Sequence, residues 1–180
     1  MNKFRKNILW LAVTALVIVI DKFTKRLAVI LLQPVPTVPL WQDFLHLTYV
    51  ENTGASFGML KDKRWVFMVT STILIAAIVI YLLRRREIPP LLGVSLGMIL
   101  GGGIGNMIDR VALGYVVDFI DFRAIHFAVF NGADSCITVG AVILFFYVMR
   151  SESGGRKNAA AKDGPKGNEP AGSGENKDHE

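Results

Sequence analysis

Apolar residues along this chain fall into long blocks separated by polar segments, not into the short alternation of a soluble sheet. Four blocks stand out: Ile8 to Leu32, Trp65 to Leu83, Leu91 to Ile108 and Ala133 to Met149. At about 1.5 Å of rise per residue, each predicts a helix that crosses a hydrocarbon core or nearly does so. The polar segments between them, residues 33–64 and 109–132, read differently. Pro34, Pro36 and Pro39 end the first helix and force extended backbone. Phe44 to Val50 and Tyr115 to Phe122 are rich in β-branched and aromatic residues, and Asn52-Thr53-Gly54 supplies a turn. The pattern predicts an all-α integral membrane protein of four transmembrane helices, with a small extracytoplasmic β-sheet from elements near 38–60 and 113–122. Trp41, Phe44 and Tyr49 suit the interface beneath such a sheet.

Gly93, Gly97, Gly101 and Gly105 recur every four residues in the third block. Such spacing lets two membrane helices approach closely. It holds Asn106, Asp109 and Arg110 at the outer end of that helix. Because four residues over-rotate a 3.6-residue turn, the stripe is expected to drift and face more than one neighbour.

Composition and charge sharpen this picture. Of the 180 residues, 52% are hydrophobic, and the mean hydropathy is +0.41. The formal charge of +5 is unevenly spread. Lys3, Arg5 and Lys6, then Arg84 to Arg86, then Arg150, Arg156 and Lys157 fall on one side of a four-span arrangement. The positive-inside rule makes that side, and both termini, cytoplasmic. Lys61, Lys63 and Arg64 oppose it, accompanied by Glu51 and Asp62. A basic excess gathered beside apolar runs is topology signal and excludes a nucleic-acid surface. Residues 1–150 form the membrane domain. Residues 151–180 hold six Gly, two Pro and no large apolar residue, so a disordered cytoplasmic tail is expected.

The chain opens like a signal peptide, with basic residues before Ile8 to Ile20. The charged stretch Asp21 to Arg26 follows in place of a cleavage site, which favours a retained helix. Cys136, the only cysteine, reads as a buried small hydrophobe. His46, His126 and His179 stand far apart without metal-ligand spacing, so no metal site is expected.

Asp118 and Asp134 carry the strongest chemical signal. Each lies at the edge of an apolar segment. A carboxylate at the centre of a membrane helix costs roughly 2.5–3.5 kcal/mol, and less near the interface. Two such groups brought together can share one proton and activate water. Other uses stay open: Asp134 can cap the fourth helix, Arg110 can pair with Asp109, and Asn52 can serve only its turn. Asp121 suits a surface ion pair, with Arg123 as partner.

Five motifs then occur in order: Asp21-Lys22-Phe23-Thr24-Lys25, Glu51 to Gly58, Gly102 to Arg110, Val116-Val117-Asp118-Phe119, and Phe130 to Ser135. With them, residues 5–150 resemble the bacterial lipoprotein signal peptidases (signal peptidase II). The resemblance implies an aspartic endopeptidase of the cytoplasmic (inner) membrane. Such an enzyme cleaves prolipoproteins on the N-terminal side of a lipid-modified cysteine, under an outer β cradle and with no cofactor. It implies Asp118 and Asp134 as the catalytic pair, near the extracytoplasmic face. Asn52, Asn106, Arg110 and Asn131 match positions around the substrate, while Asp21, Lys25, Gly54, Gly105 and Asp109 match positions of structural character. Ser56 and Gly132 depart slightly from the family pattern. Diacylglyceryl-modified prolipoproteins and membrane lipids are the implied partners of a monomer.

Two rival classes remain. A metal-dependent membrane phosphotransferase also places aspartates at a membrane edge, although Asp118 and Asp121 make a thin Mg²⁺ site. A non-enzymatic helper or transporter subunit is the other.

Overall fold

The computed structural model describes residues 3–54 and 64–162. The segment from Ala55 to Lys63, with Ser56, Phe57 and Gly58 of the second motif, lies outside the described residues, as does everything after Lys162. The chain divides into two units, Met1–Tyr147 and Val148–Glu180.

In the first unit, α1 (Lys3–Leu32) leads into β1 (Val38–Trp41) and β2 (Leu45–Asn52). The helices α2 (Arg64–Arg84) and α3 (Pro90–Ala112) follow, then β3 (Val116–Phe122), a short 3₁₀ turn at Arg123–Ile125, and the start of α4 (Gly132–Lys162). Pro90 opens α3, where its fixed φ suits a first helical turn and its missing N–H costs nothing. Gly114, at φ 89°, takes the chain out of α3 and into β3.

α3 is the central helix. Leu92, Leu96, Ile99 and Leu100 are buried, with Trp10 of α1 and Ile78 and Leu82 of α2 packed about them. α2 and α4 instead expose apolar side chains such as Val69, Ile73, Leu83, Val142 and Phe146. Such surfaces suit hydrocarbon, not water. By length and composition, Trp65–Arg84, Pro90–Ala112 and Gly132–Ser151 can cross a membrane. The first helix is not among these three. Its 30 residues include Asp21, Lys22, Lys25 and Arg26, which interrupt the apolar run.

The glycine stripe does not drift as expected. A Cβ on Gly97 would lie 2.9 Å from the Trp10 carbonyl oxygen, and one on Gly101 2.6 Å from Val17 Cβ. One on Gly105 would come within 2.6 Å of Asp21 Oδ2. All three meet α1, because the i±4 row is inclined to the helix axis and a crossing partner can follow it. Gly102, outside the stripe, makes the approach to α4, where a Cβ would lie 2.5 Å from the Ala133 carbonyl oxygen.

The sheet is antiparallel in the order β1-β2-β3. β1 forms within the proline segment, and Pro39 is tolerated there because β1 is an edge strand. β2 reaches Asn52, opposite Val116, after an irregularity between Leu47 and Val50. Leu47, Tyr49, Val117 and Phe119 pack with Ala28 and Leu32, which seats the sheet on the end of α1. An isolated bridge from Ile120 to Phe130 ties β3 to the segment before α4.

In the second unit, the chain is helical from Val148 through Lys162. Residues 151–162, the first part of the tail expected to be disordered, belong to this helix, and residues 163–180 lie outside the described residues.

Candidate active site

Asp118 is 1% exposed in β3, opposite Val50. Its carboxylate is held on both oxygens. Asn52 Nδ2 donates to Oδ2 at 2.9 Å, and Asn131 Nδ2 donates to Oδ1 at 2.6 Å. Burial pushes the Asp118 carboxyl up to about 6, and the charge of Asp134 adds to the rise. The Asn52 and Asn131 donors and the Lys25 charge oppose it. Asn52 also serves its turn, since its Oδ1 accepts the Gly54 N–H at 2.9 Å.

Asp134 sits at the third position of α4, and the helix cap is Asn131. Asn131 Oδ1 accepts the Asp134 N–H at 3.1 Å, and Asp134 Oδ2 accepts the Asn131 N–H at 3.2 Å. This is a reciprocal capping box. Asp134 Oδ1 is left to accept Asn106 Nδ2 at 2.7 Å. Asn131 Nδ2 also reaches Asn106 Oδ1 at 3.2 Å. The two carboxylates are thus joined through two asparagine side chains, Asp118–Asn131–Asn106–Asp134.

Behind Asn106 lies a buried ionic cluster. Lys25 Nζ donates to Asn106 Oδ1 at 2.7 Å, and stands 3.0 Å from Asp21 Oδ2 and 2.7 Å from Asp109 Oδ2. Lys22 pairs with the other oxygen of Asp109 and donates to the Gly105 carbonyl at 2.8 Å. Asp109 therefore pairs with α1, not with Arg110. Lys22 lies in the first motif but had no assigned role; no local pattern points to a partner 87 residues away.

In front of the carboxylates is a cavity of about 520 Å³. Asn52, Gly54, Asn106, Arg110, Asp118 and Asp134 contribute to its polar wall, while Phe67, Phe127, Val129, Phe130, Ile137 and Val139 line its apolar part. The Arg110 guanidinium lies 5.4 Å from the Phe67 ring centroid, with Nη1 3.5 Å from the Asn106 carbonyl oxygen. Phe67, Phe127 and Val129 are not legible in the sequence, where nothing distinguishes them from other apolar residues. Asp121 does not join the pair. It accepts Thr48 Oγ1 at 2.8 Å and Arg123 Nε at 2.9 Å, and it does not line the cavity.

The family model described as signal peptidase (SPase) II matches residues 13–150. A lipoprotein signal peptidase of Caldanaerobacter subterraneus is 48% identical over 139 residues, covering 77% of this chain and 94% of that protein. Another, of Brevibacillus brevis, is 42% identical over 146 residues, covering 81% and 96%. A solved structure of a bacterial membrane enzyme aligns with a TM-score of 0.72 at 28% identity, over 81% of this chain and 90% of that one.

Proposed function

This chain belongs to the signal peptidase II family and is a peptidase that removes the signal peptide from prolipoproteins; we propose that Asp118 and Asp134 are its catalytic pair. The observation that carries this reading is that both carboxylates border one cavity and are linked by Asn131 and Asn106. Two carboxyls held in one polar network with a single proton between them provide a base and an acid together. The ionised carboxylate takes a proton from water as the oxygen attacks the scissile carbonyl. The protonated one donates to the carbonyl oxygen, and the tetrahedral intermediate collapses as the leaving amine receives a proton.

The wall of the cavity suits the finer substrate. Arg110, Asn52 and Asn106 offer donors to a peptide backbone, beside the apolar Phe67, Ile137 and Val139. That pairing of surfaces supports cleavage on the N-terminal side of a diacylglyceryl-modified cysteine, whose acyl chains remain in lipid. α1 is the fourth crossing. Its Asp21 and Lys25 are buried against α3, while Leu16, Val19, Phe23 and Leu31 are exposed, the arrangement expected of ionisable groups inside a membrane bundle. The protein works as a monomer in the bacterial cytoplasmic membrane, with residues 1–150 as the peptidase and the site at the outer face. Asn131, Gly54 and Gly105 hold the site in shape, and no cofactor enters the reaction.

The test is cleavage of a lipid-modified prolipoprotein by purified enzyme. Asp118→Asn and Asp134→Asn should each abolish turnover while the protein stays folded, and the double variant should be little worse than either. Asp121→Asn should retain substantial activity. Chelation should leave the wild type active. Turnover by either single variant, or a loss on chelation restored by Mg²⁺, would replace the aspartic mechanism with a metal-dependent one.

A further inference from the structure

We infer that Lys25 is a positioning residue for the reaction: it sets which way round the Asn106 amide sits, and so presents an N–H to Asp134. The inference rests on the dyad reading above and deepens it.

An asparagine amide has two faces, an acceptor and a donor, and a half-turn about its last bond exchanges them. Asn106 is 6% exposed, and the partners of its amide are protein groups. In the observed orientation Oδ1 accepts from Lys25 Nζ at 2.7 Å and from Asn131 Nδ2 at 3.2 Å, and Nδ2 donates to Asp134 Oδ1 at 2.7 Å. Reversal would set the Asn106 N–H₂ against an ammonium and a second amide N–H₂, and its carbonyl oxygen against a carboxylate. Every contact would become repulsive. Of the two donors to Oδ1 among the described residues, only the ammonium is charged, and a charge-assisted bond outweighs the neutral one from Asn131.

Lys25 is itself held rigidly. Asp21 lies one helical turn back on α1 and Asp109 across on α3, with Lys25 4% exposed between them. The groups that face it from both helices are therefore Asp21, Asp109 and Asn106, with Lys22 completing a cluster of two acids and two bases. Lys25 lies outside the lining of the cavity and so acts through Asn106, not on substrate.

A purely structural ion pair would make the same α1–α3 contacts, and the two roles differ in one measurable way. The paired change Asp21→Asn with Lys25→Met removes one charge of each sign and avoids leaving a carboxylate unpaired. Made in the wild type, it should lower kcat about a hundredfold, the scale of a misplaced catalytic group. KM should stay within about twofold, and the protein should retain a cooperative thermal transition. Made in an Asn106→Ala background, it should cost no more than about twofold further in kcat, because the amide it orients is gone. An undiminished kcat in the folded variant, or the same loss repeated without Asn106, would overturn the inference. If the paired variant does not fold, Lys25→Arg carries the test. Retained kcat, or a loss that disappears in Asn106→Ala, supports the role; a loss that persists there defeats it. Turnover by Asp134→Asn would mark failure of the dyad itself, whereas additive losses with Asp134→Asn inactive would defeat only the role of Lys25.

Discussion

Asn131 and Asp134 cap one another: the Asp134 N–H reaches Asn131 Oδ1 at 3.1 Å, and the Asn131 N–H reaches Asp134 Oδ2 at 3.2 Å. The motif that starts α4 also aims one of the two carboxylates. Because the cap uses only Oδ1, Asn131 Nδ2 remains available to Asp118 at 2.6 Å. Helix initiation and the alignment of both acids therefore depend on a single side chain.

Cap and alignment can be separated by substitution. Asn131→Ser keeps a side-chain oxygen able to cap but is too short to reach Asp118. Asn131→Ala loses both functions, with about 1 kcal/mol of stability lost from the cap alone. Thermal unfolding should therefore rank the two variants, with Ser above Ala. Prolipoprotein cleavage should fall strongly in both. Full activity in Asn131→Ser would show that the bond to Asp118 is dispensable.

Arg110 offers a fork of donors at the cavity wall and lies over the Phe67 ring. Arg110→Lys keeps the charge but loses the fork and the planar stacking surface. It should reduce kcat/KM by about tenfold or more without lowering the unfolding temperature. Unchanged kinetics would return Arg110 to a packing role.

The buried Asp118 makes stability depend on pH in a defined direction. Burial pushes its carboxyl up to about 6 in the folded protein, from an ordinary value of 3.8. Between these values the folded state keeps a proton that the unfolded state has released, so stability falls as pH rises through that window and then levels off. The full change is about 3 kcal/mol. Thermal melts from pH 4 to pH 7 should show this fall, and Asp118→Asn should flatten it. Identical profiles in the two proteins would contradict the buried carboxyl.

Glycines of equal spacing differ sharply in their tolerance. A Cβ at Gly105 would lie 2.6 Å from Asp21 Oδ2, whereas one at Gly93 meets Ile88 Cγ2 at 3.5 Å and Trp10 Cβ at 3.9 Å, ordinary contact distances. Gly105→Ala should cost about 1–3 kcal/mol, since Asp21 belongs to a tightly held cluster and must shift. Gly93→Ala should be close to neutral. Equal melting temperatures for the two variants would refute the close approach.

Membrane orientation is tested by labelling. In a Cys136→Ala background, an impermeant thiol reagent added outside should reach a cysteine at position 60 and not one at position 158. The reverse result would invert the orientation that the basic clusters imply.

Much of this protein is determined locally and is legible in its sequence. The apolar blocks mark α2, α3 and most of α4, because the cost of placing polar groups in lipid acts residue by residue. The β-branched and aromatic runs mark β2 and β3, and the two costly carboxylates with their asparagines stand out in ordered motifs. What the tertiary structure alone decided are the pairings between residues far apart in the chain. Packing of α1 against α3 brings Lys25 to Asn106, 81 residues away, and turns Asp109 to Lys22 and Lys25 instead of its neighbour Arg110. The face of α3 that the glycines offer, and which of Asp118 and Asp121 looks into the cavity, follow from how strands and helices cross. Hydrophobicity depends on residue type, so a chain displays it directly. A hydrogen bond also depends on direction, and directions exist only after the helices have packed.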